Sequence, residues 1–157
     1  MKHILIFTVL TFFACKSETA STSNMEDLDL MKYGLPIKIK APSGSKVVSE
    51  DLGFVQDVTV KGEDNFYVQI LGGSATTTNL ADIKASQMKD VEKMPYFSKI
   101  VEQDDNGFIF EKEISEDHLN YDFRYIKVQG DKEYIFQTGL IGKFSVDDVK
   151  TMYSAVK

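Results

Sequence analysis

Residues 121–140 read YDFRYIKVQGDKEYIFQTGL, and this stretch predicts a β-hairpin. Tyr121, Phe123 and Tyr125 alternate with polar residues, as expected of a strand whose apolar face is buried, so we expect Phe123 to lie in the core. Gly130-Asp131 then forms a two-residue turn that begins with glycine, as a type II′ turn requires. The returning strand has Tyr134, Phe136 and Leu140 on one face and Ile135 and Ile141 on the other. Apolar residues on both faces predict a sheet that is covered on both sides.

Further strands are predicted on either side of this hairpin. Residues 54–60 and 66–71 are rich in β-branched and aromatic residues and are joined by the turn residues 62–65. Ile100-Val101 leads through Asp104-Asp105-Asn106-Gly107 into 108–110, and Asn-Gly between apolar runs strongly favours a hairpin. Ile37 and Ile39, alternating with lysines, predict a shorter strand that ends at Pro42.

Helices are predicted at three places in the chain. Residues 25–33 predict a short helix that ends at Gly34. After Gly72-Gly73 closes a strand, Asn79 caps an amphipathic helix that ends at Pro95 and carries apolar residues on one face, namely Leu80, Ile83, Met88, Val91 and Met94. Ser145 and Asp148 form a capping box for a last helix. Residues 25–157 therefore predict a single α+β domain, a mainly antiparallel sheet flanked by two helices.

The N-terminal residues predict an export signal. Lys2 precedes a ten-residue apolar run, Ile4–Phe13, which is too short to span a membrane because that needs about 20 residues. A positive start followed by an apolar run of this length is typical of a secretory signal peptide. Cys15, the only cysteine of the chain, directly follows Ala14 at the end of the run. Residues 1–14 are therefore predicted to be removed from the mature protein.

Phe13-Ala14-Cys15 resembles a bacterial lipobox of the type found in lipoproteins of Bacteroidota. The departure is Phe12, where the common pattern has leucine. The resemblance implies cleavage before Cys15, a lipid on its sulfur and a membrane-anchored place in the cell envelope, with the membrane and its face left open. The alternative is an ordinary cleaved signal in which Cys15 is incidental. Residues 16–24, KSETASTSN, have the composition of a flexible tether.

The order of predicted elements resembles the PsbP/Mog-type fold over residues 35–157. The matching residues are Pro42, Gly44 and Val47, and Phe144-Ser145 at the entry to the last helix. The departure is Ser45, where many members have tryptophan. The resemblance implies an α/β/α sandwich and a non-catalytic accessory or binding role, and it assigns no functional residue.

The charge balance excludes one class of partner. The chain has 18 Lys and Arg against 24 Asp and Glu, and removal of residues 1–14 leaves seventeen cations and a net charge of −7. Arg124 is the only arginine, and no stretch is polybasic. Nucleic-acid binding requires a basic patch, so we predict no nucleic-acid partner.

Three motifs resemble known sites but lack essential parts. Glu102–Glu113 fits a twelve-residue calcium loop at several positions, yet Glu102 replaces the first aspartate and strands flank it where helices should, so a hairpin is favoured. Ser43 and Lys46 have the spacing of a serine acyl-enzyme motif without its partner motifs. Gly72-Gly73-Ser74 lacks the lysine and the spacing of a phosphate loop.

The remaining candidate for chemistry is His118, the only histidine of the mature chain. A zinc site needs further histidines or thiols, which the mature domain lacks, so a solvated loop position is favoured. The sequence therefore predicts no catalytic, cofactor-binding or metal-binding residue, and Cys15 is the one predicted site. The favoured function is a binding or structural domain with an envelope protein as a possible partner, and the alternative is an envelope hydrolase that uses carboxylates or His118.

Overall fold

The computed structural model describes residues 24–157. The predicted signal peptide, residues 1–14, lies outside the described residues. Cys15 and residues 16–23 of the predicted tether lie outside them as well. Asn24, the last residue of the tether, is the first described position.

Residues 25–157 fold as one α+β domain. Its strands are β1 (Met25–Asp29), β2 (Lys38–Pro42), β3 (Lys46–Asp51), β4 (Val55–Lys61), β5 (Tyr67–Ser74), β6 (Phe97–Gln103), β7 (Gly107–Ser115), β8 (His118–Gln129) and β9 (Lys132–Thr138), and its helices are α1 (Leu80–Glu92) and α2 (Val146–Ala155). Seven strands form an antiparallel sheet in the order β3-β4-β5-β9-β8-β7-β6, while β1 and β2 pair separately. Neither α1 nor α2 is long and apolar enough to cross a membrane.

The central hairpin, β8 and β9, has the predicted turn. Gln129 pairs with Lys132, and the glycine between them, Gly130, has a φ of +63° while Asp131 does not have a positive φ, as in a type II′ turn. The prediction that the returning strand extends to Ile141 is wrong, because β9 ends at Thr138. Leu140 and Ile141 lie in the loop before α2 and are 80% and 85% exposed.

The main core lies between the sheet and a layer formed by α2 and the β1–β2 pair. Phe123 is fully buried there, as predicted, and its ring meets the ring of Tyr153 edge-on, with 5.7 Å between centroids and 90° between planes. Tyr125 and Tyr134 are buried in the same core, so these aromatic residues form an interior face rather than a contact surface.

The opposite face of the sheet is covered in part by α1. The Asn79 side chain caps this helix by accepting a hydrogen bond from the backbone N–H of Ala81, as predicted. Ile83 packs on β8 and β9, and Val91 packs on β7. Met94 lies beyond the end of α1 and is 37% exposed, so it does not share the buried face predicted for it.

The prediction of a helix over residues 25–33 is wrong. Met25–Asp29 is the strand β1, which pairs with β2, and only Met31–Tyr33 forms a 3-10 turn before Gly34 at a φ of +90°. Pairing with β2 gives β1 partners for its backbone groups and a cross-strand contact of 2.9 Å between the carboxylate of Asp27 and the ammonium group of Lys40. This long-range pairing outweighs the local helical preference. The strand β3 is an additional element that the predicted strands did not include.

Candidate functional site

A cleft of about 750 Å³ opens at the end of the sheet where β3 joins β4 and β8 joins β9. Its walls are the loop 34–36, the turn between β3 and β4, the last residues of β5 and the first residues of β9. Four segments that are distant in sequence therefore meet around one opening. Concave sites of this size are where proteins usually bind small molecules or peptide side chains.

Two glycines of β5 make room for the cleft walls. A Cβ at Gly72 would lie 2.5 Å from a methyl carbon of Leu35, so only glycine lets the loop 34–36 pack this closely on β5. Gly73 pairs with Glu133 and lines the same cleft. The prediction that Gly72-Gly73 closes the strand is wrong, since β5 continues to Ser74. Adjacent glycines inside a strand pattern could have indicated this close approach of a second segment.

Glu133 supplies a carboxylate to the cleft wall. Burial raises the pKa of this carboxyl group, and no hydrogen bond or ion pair from residues 24–157 contributes an opposing effect. The neighbouring Lys132 places its ammonium group 3.4 Å from the hydroxyl of Ser74. An acid held half-buried in a cleft is more typical of a binding position than of a stabilising one, because desolvation disfavours its charged form.

The rim of the cleft exposes an aromatic side chain. Phe54 is 83% exposed and follows Gly53, which has a φ of +86°. The carboxylate of Asp51 accepts a hydrogen bond of 2.8 Å from the Gly53 backbone N–H, which holds the turn in place. Leu52, also exposed, lies in the same turn. Large apolar groups in water beside a cleft are typical of contact surfaces.

A chain of polar side chains crosses the sheet next to the cleft. The amide of Gln137 donates to Gln69, and the amide of Gln69 donates to Asp57, each over 2.7 Å. Asp57 pairs across the strands with Leu71, which lines the cleft. Its second carboxylate oxygen is buried and has no partner among residues 24–157. A buried acceptor without a donor is costly, because its desolvation is not offset by a hydrogen bond.

Two buried charged side chains of β8, Asp122 and Arg124, form several hydrogen bonds. One oxygen of Asp122 accepts from the backbone N–H groups of Phe123 (2.8 Å) and Thr138 (3.0 Å), and the other accepts from Lys112. Arg124 is buried beside it and donates to the carbonyl oxygen of Phe123 over 2.8 Å. Burial lowers the pKa of Arg124, although the charge of Asp122 opposes this effect. These contacts connect β8 to its neighbouring strands, so the buried charges of Asp122 and Arg124 have a structural role.

The predicted hairpin over the calcium-like segment is confirmed, since β6 and β7 flank its turn. The carboxylate of Asp104 accepts hydrogen bonds of 3.0 Å from the backbone N–H groups of Asn106 and Gly107, and one of 2.8 Å from the hydroxyl of Tyr153. Lys157 lies 2.7 Å from its other oxygen. Burial acts to raise the pKa of Asp104, but the hydrogen bonds from Lys157 and Tyr153 outweigh it and the pKa is lowered. Asp104 thus ties the turn to the C-terminal residues.

The serine–lysine motif forms a turn. Gly44 has a φ of +74°, and the hydroxyl of Ser45 donates to the carbonyl oxygen of Pro42 over 2.6 Å. Ser43 therefore lies in the connection between β2 and β3 rather than at the start of a helix, where the acyl-enzyme motif needs its nucleophile.

His118 lies at the exposed tip of the β7–β8 hairpin, where its Nδ1 is 2.8 Å from the hydroxyl of Ser115. The strand β8 runs from His118 to Gln129, which pairs with Lys132 beside the cleft. At about 3.3 Å per residue, the length of β8 separates His118 from the cleft by roughly 36 Å. The structure therefore does not bring the histidine and the cleft together. Within residues 24–157 no group of three or more His, Cys, Asp and Glu side chains is placed to hold a metal ion.

No protein-family model, curated protein or solved structure matches this chain. The candidate site therefore rests on its own geometry.

Proposed function

We propose that this protein is a lipid-anchored component of a bacterial cell envelope, held through Cys15, whose domain binds another envelope protein through the cleft. The observation that carries the proposal is the position of the cleft at the end of the domain opposite Asn24, where the predicted tether enters. The lipobox-like residues before Cys15 supply the anchor in this proposal. In this proposal the domain is PsbP/Mog-like, a fold whose members are mostly non-catalytic; its antiparallel sheet has α1 on one face and α2 with the β1–β2 pair on the other.

The strand β1 runs from the end of the domain at Asn24 towards the opposite end, where the cleft lies. Asn24 is tied to the β2–β3 turn by a 2.9 Å hydrogen bond from the Ser43 N–H to its carbonyl oxygen. From there β1 runs the length of its pairing with β2 and leads to the loop 34–36, which forms one cleft wall. A tether attached at Asn24 would therefore leave the cleft open on the side away from the membrane.

The groups around the cleft favour a polypeptide ligand. Phe54 offers an exposed apolar surface, and Glu133 and Asp51 offer carboxylates. An extended segment with one apolar and one cationic side chain would match both features, because it would cover the aromatic ring and pair with the half-buried acid. The net charge of −7 in the mature chain also favours a basic partner.

A hydrolase that uses carboxylates or His118 has less support. His118 lies on an exposed hairpin tip far from the cleft, and its hydrogen-bond partner is a serine hydroxyl rather than a carboxylate. A general base needs an orienting partner and a nearby cavity. The binding function remains our proposal.

The anchor is tested by Cys15→Ala. We expect the wild-type protein to incorporate labelled palmitate and to sediment with membranes, because two or more acyl chains hold a protein firmly in a bilayer. The variant should lose the label and become extractable in salt. Full membrane retention of the variant, together with an unlabelled wild type, would contradict the anchor.

The cleft is tested separately by a photo-crosslinking residue placed at position 54 in cells. We expect it to form a discrete adduct with an envelope protein, and the adduct should weaken in Glu133→Gln. A crosslinker at Lys89, which is exposed on α1, is the matched control and should give none. Equal adducts at both positions, or none at position 54, would contradict binding through the cleft while leaving the anchor result intact.

A further inference from the structure

The loop between β9 and α2 exposes the two most solvent-accessible large aliphatic side chains of the described domain. Leu140 and Ile141 stand side by side at 80% and 85% exposure. Neither contributes to any of the three hydrophobic clusters of the domain. Adjacent bulky aliphatic residues held in water at this level are unfavourable unless something covers them.

The loop is firmly held at its base. The side chain of Asn120 donates to the carbonyl oxygen of Gly142 over 3.2 Å and accepts from the backbone N–H of Phe144 over 2.8 Å. A Cβ at Gly142 would lie 2.3 Å from the ring of Phe144, so the chain packs tightly there. On the other side, the N–H of Gly139 donates to the carbonyl oxygen of Tyr67 over 2.8 Å. The fold therefore fixes both flanks of the loop while its two aliphatic side chains point into solvent.

This loop lies at the same end of the domain as the tether. Asn24 accepts a hydrogen bond from Ser43 in the β2–β3 turn, and that turn contacts the β4–β5 turn, because a Cβ at Gly62 would lie 2.8 Å from the ring of Pro42. The β4–β5 turn then reaches the loop, since the amide of Asn65 donates to the carbonyl oxygen of Lys143 over 2.9 Å. A continuous set of contacts thus links the tether to the residues beside Ile141.

We propose that Leu140 and Ile141 insert into the bilayer that holds the lipid on Cys15, and so orient the domain with its cleft facing outward. This inference rests on the proposed lipid anchor. Eight residues (16–23) lie between Cys15 and Asn24, and these nine residue-to-residue steps reach at most about 30 Å, so a lipid on Cys15 would keep this end of the domain close to the membrane surface. Confinement by a tether raises the effective concentration of the loop at the membrane, so two inserted side chains suffice for contact.

The charges around the loop indicate that the contact is apolar rather than electrostatic. Acidic residues line a neighbouring depression of about 450 Å³, namely Glu63, Asp64, Asp147 and Asp148. Lys143 is the nearest cation along the loop. Anionic headgroups would repel this end, so insertion is expected to weaken, not strengthen, as the share of anionic lipid rises.

The chain has no tryptophan, which permits a single-residue reporter. Ile141→Trp and the matched control Phe54→Trp, which lies at the cleft end with similar exposure, would each be purified as the lipidated protein and placed in phosphatidylethanolamine–phosphatidylglycerol vesicles. We expect the emission of the tryptophan at position 141 to shift to the blue and to be quenched by brominated acyl chains. The tryptophan at position 54 should show neither effect.

A second pair of variants tests the same contact without a probe in the loop. Replacing Leu140 and Ile141 together by serine should lower the equilibrium constant between the membrane-contacting and the free position of the domain by about tenfold, since partial burial of two such side chains amounts to roughly one factor of ten. The matched pair Leu52→Ser with Phe54→Ser should leave that equilibrium constant unchanged. Both pairs replace exposed residues, so their melting temperatures should equal that of the parent protein.

The proposed insertion of Leu140 and Ile141 and the proposed lipid anchor can be refuted independently. The mature chain starting at Cys15 can be coupled in vitro through that thiol to a maleimide lipid, which supplies an anchor even if cells attach none. An unquenched tryptophan at position 141 on vesicles loaded in this way would overturn the inference and would point to a protein as the occupant of the loop. Quenching that grows with phosphatidylglycerol content would overturn the apolar mechanism. Absence of native palmitate label would refute the natural anchor alone.

Discussion

Phe123→Ala removes one of the largest fully buried side chains of the main core, where Phe123 lies between the sheet and α2. Deleting a buried phenylalanine side chain costs about 3–5 kcal/mol. The edge-on contact with Tyr153 is an aromatic pair of a kind worth about 0.5–1.5 kcal/mol beyond burial, which favours the upper part of that range. We therefore expect the free energy of unfolding to fall by about 4 kcal/mol, a large share of the roughly 5–15 kcal/mol typical of a domain.

Urea titration followed by far-UV circular dichroism measures this loss. With a slope of about 2 kcal/mol per molar urea, the midpoint should move down by about 2 M. Phe54→Ala is the matched control, because the same side chain is removed at a position that is 83% exposed, and its free energy of unfolding should change by less than about 0.5 kcal/mol. Equal midpoints for the two variants would refute the strand register that places Phe123 in the core.

Three further predictions follow from the geometry. Millimolar Ca²⁺ should leave the melting temperature of the domain unchanged, because a ligand that binds only the native state must raise it; a Ca²⁺-specific rise that is lost in Glu113→Gln would contradict the hairpin interpretation. Glu133→Gln should raise the melting temperature at pH 7 and have no effect well below the ordinary glutamate pKa of 4.5, since burial raises the pKa of Glu133 and penalises only its charged form; equal gains at both pH values would show another cause. Asp104→Asn should destabilise the domain at pH 7, and its cost should shrink as the pH falls below 3.8, the ordinary pKa of an aspartate. The reason is that the pKa of Asp104 is lowered in the native state, so the contribution of its charged form is lost on protonation; a cost independent of pH would contradict this assignment.

The hairpins could be predicted because their determinants are local. Gly130-Asp131 occupies the β8–β9 turn as predicted. Asn106-Gly107 correctly indicates the β6–β7 hairpin, although the turn residues there are Asp105-Asn106 and Gly107 already begins β7. The alternation on each side of a turn assigns the faces of the strands. The cap at Asn79 and the capping box at Ser145 are equally local, and both are present as predicted. These elements need no knowledge of the rest of the chain, so the α+β class followed from them.

The burial of charged residues could not be predicted in the same way. Asp122 and Arg124 alternate with aromatic residues, a pattern that by itself indicates a solvated polar face. Both are buried in the structure, because Asp122 accepts backbone hydrogen bonds from β8 and from β9. Such partners come from distant segments, and the residue pattern of one strand contains no information about them. The cleft was missed for the same reason, since four separate segments form its walls.

The error over residues 25–33 bears most directly on the proposed function, because β1 determines which end of the domain would face the membrane if Cys15 carries a lipid. A helix of nine residues would rise only about 14 Å and would leave the tether and the loop 34–36 closer together. As an extended strand followed by a 3-10 turn, the same segment carries the chain from the β2–β3 turn, beside Asn24, to the cleft wall. The exposed pair Leu140 and Ile141 then lies at one end of the domain and Phe54 at the other. The proposed bilayer contact at one end and the proposed partner contact at the other therefore depend on the path of β1 as well as on the exposure of these side chains.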